Sequence, residues 1–177
     1  MEQVPLVDMT LGTETNTHVS MFRSVPDGLE DPDVDVLVTV GADADPSFAG
    51  SVPGIAHIER YVPQSLLLPL CTVVSCHGGA GTTLGALAHG VPLLVLPQGA
   101  DQYIISERVT SSGAGLRLVP PEVNADSVRR CVLGLLCGTE YRRAARRVQS
   151  EIAAMSAPDE TVPVIEHIGE RVGAFLA

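Results

Sequence analysis

The sequence contains no lysine and no tryptophan, and aromatic residues make up only 3% of it. Without lysine there is no Walker-type phosphate loop, because that glycine-rich turn must close on a Lys. With so few rings, each of the three tyrosines is a candidate for a specific contact. Positive charge is equally scarce: eleven arginines stand against 21 acidic residues, and the net charge of -10 leaves no basic stripe to exchange for nucleic-acid counterions. Every apolar run is cut by Pro, Gly or a charge well short of a membrane span, and no charged segment followed by an apolar stretch opens the chain. A cytoplasmic protein that binds neither membrane nor nucleic acid is expected. The four cysteines, Cys71, Cys76, Cys131 and Cys137, form no C-x-x-C pair and have no spaced His partners, so they read as small buried hydrophobes, not zinc ligands.

What remains is a chain of 177 residues, 45% hydrophobic, long enough to bury one full core. Apolar runs of strand length lie at Val4 to Met9, Val34 to Val40, Ile55 to Arg60, Thr72 to Cys76, Pro92 to Leu96 and Ala114 to Val119, with helical patterns between them. This alternation predicts an α/β, Rossmann-like domain: about six parallel strands, helices on both faces and C-terminal helices. A helix over His18 to Val25 is expected to end at Pro26, which lacks a backbone donor. Three closing helices are read at Ala125 to Leu136, Tyr141 to Met155 and Val164 to Leu176, the last with an apolar face including Val164, Ile165 and Ile168 that should pack against something.

The chemistry is concentrated in Ser75-Cys76-His77-Gly78-Gly79-Ala80-Gly81-Thr82-Thr83. A buried strand, a glycine-rich turn and a helix start near Ala80 aim several backbone N–H groups and the positive end of a helix dipole at one spot, where an anion belongs. Such fixed donors suit a diphosphate in an acidic chain because they need no arginine cluster. Thr82 and Thr83 add hydroxyls, and His77 can donate to a phosphate oxygen. The run does not fit the dinucleotide fingerprint, since its third glycine would fall at Leu84. Taken by itself the turn also reads as an ordinary strand-to-helix connection. Its neighbours add to it: Tyr61-Val62-Pro63-Gln64 ends the preceding strand and Pro97-Gln98-Gly99-Ala100-Asp101-Gln102 the following one. On adjacent parallel strands, these loops would line one cleft and supply a ring for a base, a nest for phosphates, and a carboxylate with an amide for sugar hydroxyls.

His77 to Gly85, with Pro97 to Gln102 in register behind it, resembles the donor-binding signature of inverting glycosyltransferases of the GT-B fold, family 1, of the bacterial natural-product type. Thr10-Leu11-Gly12-Thr13 and the stretch Asp101 to Leu118 extend the likeness over nearly the whole chain. The resemblance implies that Tyr61, Val62 and Gln64 hold the nucleobase, though the family more often has Trp at the position of Tyr61. It implies that Thr13, His77 and the backbone of Gly79, Ala80, Gly81 and Thr82 hold the diphosphate, and that Asp101 and Gln102 read the sugar. The donor would be a TDP- or UDP-sugar and the acceptor a small-molecule natural product, with no metal or other cofactor. The catalytic base and the N-terminal acceptor domain are expected to lie outside this chain, so that no catalytic residue is assigned within it. The alternatives are one subunit of a split glycosyltransferase or a non-catalytic nucleotide-sugar-binding module.

Two further signals are read as bland. The Asp-x-Asp spacings among Asp31, Asp33, Asp35, Asp43 and Asp45 sit among turn formers and are not taken as metal ligands. Arg142, Arg143, Arg146 and Arg147, with Glu151 one turn on, read as a solvated helix face.

Overall fold

A computed structural model describes residues 4–10, 27–29, 33–41 and 56–176. Six strands, β1 (Leu6–Thr10), β2 (Asp35–Thr39), β3 (Ala56–Glu59), β4 (Val73–Cys76), β5 (Leu93–Val95) and β6 (Gly115–Arg117), form one parallel sheet in the order β3-β2-β1-β4-β5-β6. All six predicted strands are found, each shorter than its apolar run, because the flanking residues continue into loops. The predicted helix His18 to Val25 lies outside the described residues.

The sheet is buried on both faces, which is why its central strands read as unbroken apolar runs. One face carries Val7, Met9, Val36, Val38, Leu94 and Leu96 against Val128, Val132 and Leu135 of α4 (Ala125–Cys137). The other carries Val74, Cys76, Leu93 and Val95 against Ala86 and Leu87 of α2 (Ala80–Ala88), Val109 of α3 (Gln102–Ser112) and Ala144 and Ala145 of α5 (Thr139–Ala153). A short helix α1 (Gln64–Leu67) and a 3₁₀ turn (Leu68–Leu70) bring the chain from β3 to β4. Burial of each such Val or Leu contributes roughly 1.5–3 kcal/mol.

The start of α4 is fixed by a reciprocal cap: the Asn124 side chain accepts from the Ser127 amide, and the Ser127 hydroxyl accepts from the Asn124 amide, both at 3.0 Å. Helix α3, unread in the sequence, is rich in Thr, Ser and β-branched residues of modest helix propensity. Its buried Val109 and Ser106 and the left-handed Gly113 that ends it (φ 76°) specify it through tertiary packing and a C-terminal cap. The last helix, α6 (Pro158–Leu176), begins before the predicted Val164 and runs through Pro163. Its Val164, Ile165 and Ile168 are more than half exposed, so the face expected to pack meets no partner within the described chain.

The arginine face is only partly solvated. Arg142 donates to the Thr72 carbonyl at 3.1 Å and Arg147 to the Ser112 carbonyl at 2.7 Å, tying α5 to the ends of β4 and α3. Cys71 and Cys76 are buried, and burial pushes their thiols up to about 12 and about 11, whereas Cys137 is exposed. No helix among the described residues is long and apolar enough to cross a membrane.

Asp8 lies in the middle of β1, in register with Leu37 and Val74 and 1% exposed. Neither carboxylate oxygen has a hydrogen-bond partner among the described residues. Burial raises its pKa from 3.8 to about 7. A carboxyl whose folded-state pKa is raised carries a penalty that begins as pH exceeds its unfolded value of 3.8, grows until pH reaches the folded value of about 7, and is constant above it. A shift of this size corresponds to a cost on the order of 4 kcal/mol above that pH. Asp8→Asn, which keeps the shape and removes the charge, is expected to raise the denaturant midpoint most at pH 8, less at pH 5 and least near pH 4. Equal gains at all three pH values in paired urea titrations would show that the charge of Asp8 is not what the sheet resists.

Candidate nucleotide-sugar site

Strand β4 is buried along its length and leaves the sheet at His77. The chain turns through Gly78 at φ 92°, and Gly79, extended at φ -63° and ψ 139°, caps α2. A Cβ on Gly78 would stand 2.8 Å from Val95 Cγ1 and 3.3 Å from the Gln102 carbonyl oxygen. Glycine is therefore required twice over, by its backbone angle and by the close approach of the loop after β5. The Thr83 amide makes the first helical bond, to the Gly79 carbonyl at 3.0 Å. The amides of Ala80, Gly81 and Thr82 consequently have no acceptor within the helix, and no side chain caps it.

Gly81 and Thr82 of this first turn line a cavity of about 340 Å³, at the small end of the range of ligand sites. Gly81 and Thr82 form one wall, the loop after β3 with Arg60, Tyr61, Val62 and Gln64 another, and Thr10, Thr39 and Gly41 the floor at the ends of β1 and β2. Chain connections depart in opposite directions from β1 and β4, which makes this the topological switch point of the sheet. Gln64 Nε2 donates to Thr82 Oγ1 at 3.0 Å, fastening the two walls together. The Tyr61 ring is 64% exposed and packs into no core cluster, so its face is open to a ligand. Arg60 is the one charged residue on this wall and was not read from the sequence. Its signal was a lone cation closing a strand in an acidic chain.

The sequence-predicted residues divide into two groups. The expectation that the loops follow adjacent strands is corrected: β3 sits at the sheet edge, separated from β4 by the two strands β2 and β1. Its loop reaches α2 by crossing over the strand ends, so Tyr61, Val62 and Gln64 still meet Gly81 and Thr82. The loop after β5 contributes nothing to that cavity wall. Asp101 is close enough to His77 for its charge to act on the imidazole, and Gln102 packs beside Gly78. Gln102 Oε1 accepts from the amides of Gln98 at 2.8 Å and Gly99 at 3.2 Å, which leaves only its Nε2 for a ligand. Ala100 in the same loop holds φ 51°, a conformation costly for a residue with a Cβ. The side-chain amide of Gln98 is buried, and neither its oxygen nor its nitrogen has a partner among the described residues.

His77 is half-buried, with its ring folded over Gly79, and its Nδ1 is buried without a partner among the described residues. Burial lowers its pKa, opposed by the Asp101 carboxylate. Thr83 differs from expectation: its hydroxyl is buried toward the Cys76 thiol and serves the core, leaving Thr82 as the hydroxyl on the cavity. Thr13 and His18 lie outside the described residues, as do Asp31, Asp43 and Asp45. Among the described residues no three His, Cys, Asp or Glu side chains converge on one point.

Residues 23–168 match the model of the erythromycin biosynthesis protein CIII-like C-terminal domain. The chain is 33% identical over 162 residues to 4'-demethylrebeccamycin synthase of Lentzea aerocolonigenes, covering 92% of this chain and 38% of that protein. To the 3-alpha-mycarosylerythronolide B desosaminyl transferase of Saccharopolyspora erythraea it is 32% identical, over 78% of this chain and 32% of that one. Its structure resembles the calicheamicin glycosyltransferase CalG4, with a TM-score of 0.86 at 27% identity over 96% of this chain and 44% of that one. The glycosyltransferase VinC, solved in complex with DTDP, gives a TM-score of 0.81 at 29% identity over 94% of this chain and 42% of its own. The chain thus spans roughly a third to two fifths of the length of these curated relatives.

Two glycine substitutions separate backbone need from ligand need. Gly78→Ala is expected to destabilise the fold by about 2 kcal/mol or more, through its left-handed angle and the contact with the Gln102 backbone. A Cβ on Gly81 meets nothing within 4 Å, so Gly81→Ala should leave the unfolding midpoint almost unchanged while crowding the cavity. A stable Gly78→Ala protein in thermal unfolding would overturn the assigned interlock of the two loops.

Proposed function

We propose, from the premise that the chain belongs to the family of erythromycin biosynthesis protein CIII-like C-terminal domains, that it binds the nucleotide diphosphate sugar of an inverting, metal-independent glycosyltransferase. The observation that carries this reading is the uncapped start of α2 opening on a cavity whose opposite wall presents the exposed Tyr61 ring. The diphosphate lies against the amides of Ala80, Gly81 and Thr82, the base against Tyr61 and Val62, and the sugar extends past His77 toward Asp101 and Gln102. A TDP- or UDP-sugar fits this division, and the names of the relatives point to small-molecule natural products as acceptors.

In transfer, the acceptor hydroxyl attacks the anomeric carbon on the face opposite the diphosphate, the bond to the diphosphate oxygen breaks, and configuration inverts. Charge grows on the departing diphosphate in that step. Amides fixed by the helix stabilise it without reorganising, which is the most effective form of electrostatic assistance. His77 adds a donor. The base that deprotonates the acceptor comes from the portion of the relatives that this chain does not span, and the chain alone is expected to bind donor without transferring it.

Calorimetric titration with a nucleoside diphosphate is expected to give similar affinity in excess chelator and in magnesium, because fixed dipoles replace the metal. A large loss on chelation would contradict the reading. The pH dependence supplies a second check. His77, whose pKa burial lowers, gains a proton more readily beside a diphosphate, so its pKa is higher in the complex than in the free protein. Affinity for a nucleotide sugar, whose diphosphate does not titrate near neutrality, should therefore rise as pH is lowered through the His77 pKa of the complex. His77→Gln should flatten that rise, and an unaltered pH profile in this variant would remove His77 from the phosphate site.

A further inference from the structure

Hydroxyl groups in the helices of this protein mostly turn their protons back onto carbonyls of their own helix. Ser106 donates to Tyr103 at 2.7 Å, Thr110 to Ser106 at 3.1 Å, Ser112 to Val109 at 2.8 Å and Ser150 to Arg146 at 3.1 Å. Thr82 differs. Its one recorded hydrogen bond is received, from Gln64 Nε2 at 3.0 Å. A hydroxyl has one proton and two lone pairs, and an amide NH₂ cannot accept. With one lone pair taken by Gln64, the Thr82 proton has no protein acceptor among the described residues, and Thr82 lines the cavity.

Gln64 is well placed to hold that orientation. It opens α1, directly after the Tyr61-Val62-Pro63 turn, and packs beside Gly85, three residues and about one helical turn along from Thr82. A Cβ on Gly85 would stand 3.7 Å from Gln64 Oε1 and 3.1 Å from Leu68 Cδ1, so the absence of a side chain there leaves room for the amide. We infer that Gln64 is a positioning residue for the donor site: by donating to Thr82 it turns the Thr82 hydroxyl into an obligate donor aimed at the bound diphosphate. This rests on the donor-site reading above. It also couples the wall that meets the base to the wall that meets the phosphates, so that displacement of the β3 loop weakens phosphate binding without any contact to phosphate.

The test is a double-mutant cycle with Gln64→Leu and Thr82→Val, reading by calorimetry the ratio of affinities for a nucleoside diphosphate and for the matching nucleoside. Thr82→Val is expected to lower that ratio about tenfold, as for one lost hydrogen bond to a charged group. Gln64→Leu should lower it several-fold, and the double variant should show no further loss beyond Thr82→Val. Thr82→Ser, which keeps the hydroxyl, should restore the ratio toward wild type only while Gln64 is present. If Gln64→Leu leaves the ratio unchanged or raises it, the hydrogen bond runs the other way and the inference fails. Additive losses would likewise overturn it, by showing that the two side chains act independently. Thermal midpoints of the variants expose any general loss of folding, which moves both ligands together and leaves the ratio unaltered. A wild-type chain that binds nucleoside and nucleoside diphosphate equally would defeat the donor-site reading itself, and this inference with it.

Discussion

A helix that starts immediately off a buried strand has three amides with nothing to bond, and most of this site follows from how that constraint is met. Strand β4 is fixed by neighbours on both sides, and α2 is anchored by Ala86 and Leu87 in the core, so the turn between them has little freedom. Gly78 and Gly79 make the turn possible, and no side chain returns to cap the helix. An unpaired polar group in the interior costs about 1–3 kcal/mol, but at the mouth of a cavity the same group is held ready for a ligand. The interlock of Gly78 with Gln102 and the clasp of Gln64 on Thr82 keep both flanking loops in place around those amides.

The electrostatics follow the same economy. A chain of net charge -10 repels an anion at long range, so attraction has to come from short-range dipoles screened little by solvent. Arg60 on the cavity wall is the local exception to the acidic surroundings. Burial outweighs the pull of Asp101 and lowers the pKa of His77. Asp8, buried in the adjacent β1 with no hydrogen-bond partner among the described residues, has its pKa raised by that burial.

The strands were legible because parallel strands covered on both faces must be apolar at successive positions, as Val73–Val74 and Leu93–Leu94–Val95 are. The start of α2 was legible because only glycine tolerates the turn before it. Strand order was not, since it depends on pairing between segments far apart in the chain, and β3 proved to lie at the edge. Helix α3 was hidden by a composition that favours no structure strongly. The distinction between Thr82 and Thr83 depends on which way each side chain faces once α2 is docked, and the charge of His77 on how deeply it is buried. Neither burial nor orientation can be spaced out along a sequence. Family resemblance supplied the roles of Asp101 and Gln102, while the structure adds that half of the Gln102 amide is already committed to its own loop.

The central claim is that a diphosphate binds at the first turn of α2. Amide spectra of the isotope-labelled chain, recorded during titration with a nucleoside diphosphate, test it most directly. The amides of Ala80, Gly81 and Thr82 should move most, shifting downfield as they gain an anionic acceptor, with smaller changes at Tyr61 and Val62. Largest shifts elsewhere, for example among Leu136, Gly138 and Arg143 around the separate cavity between α4 and α5, with the α2 amides unmoved, would contradict the account.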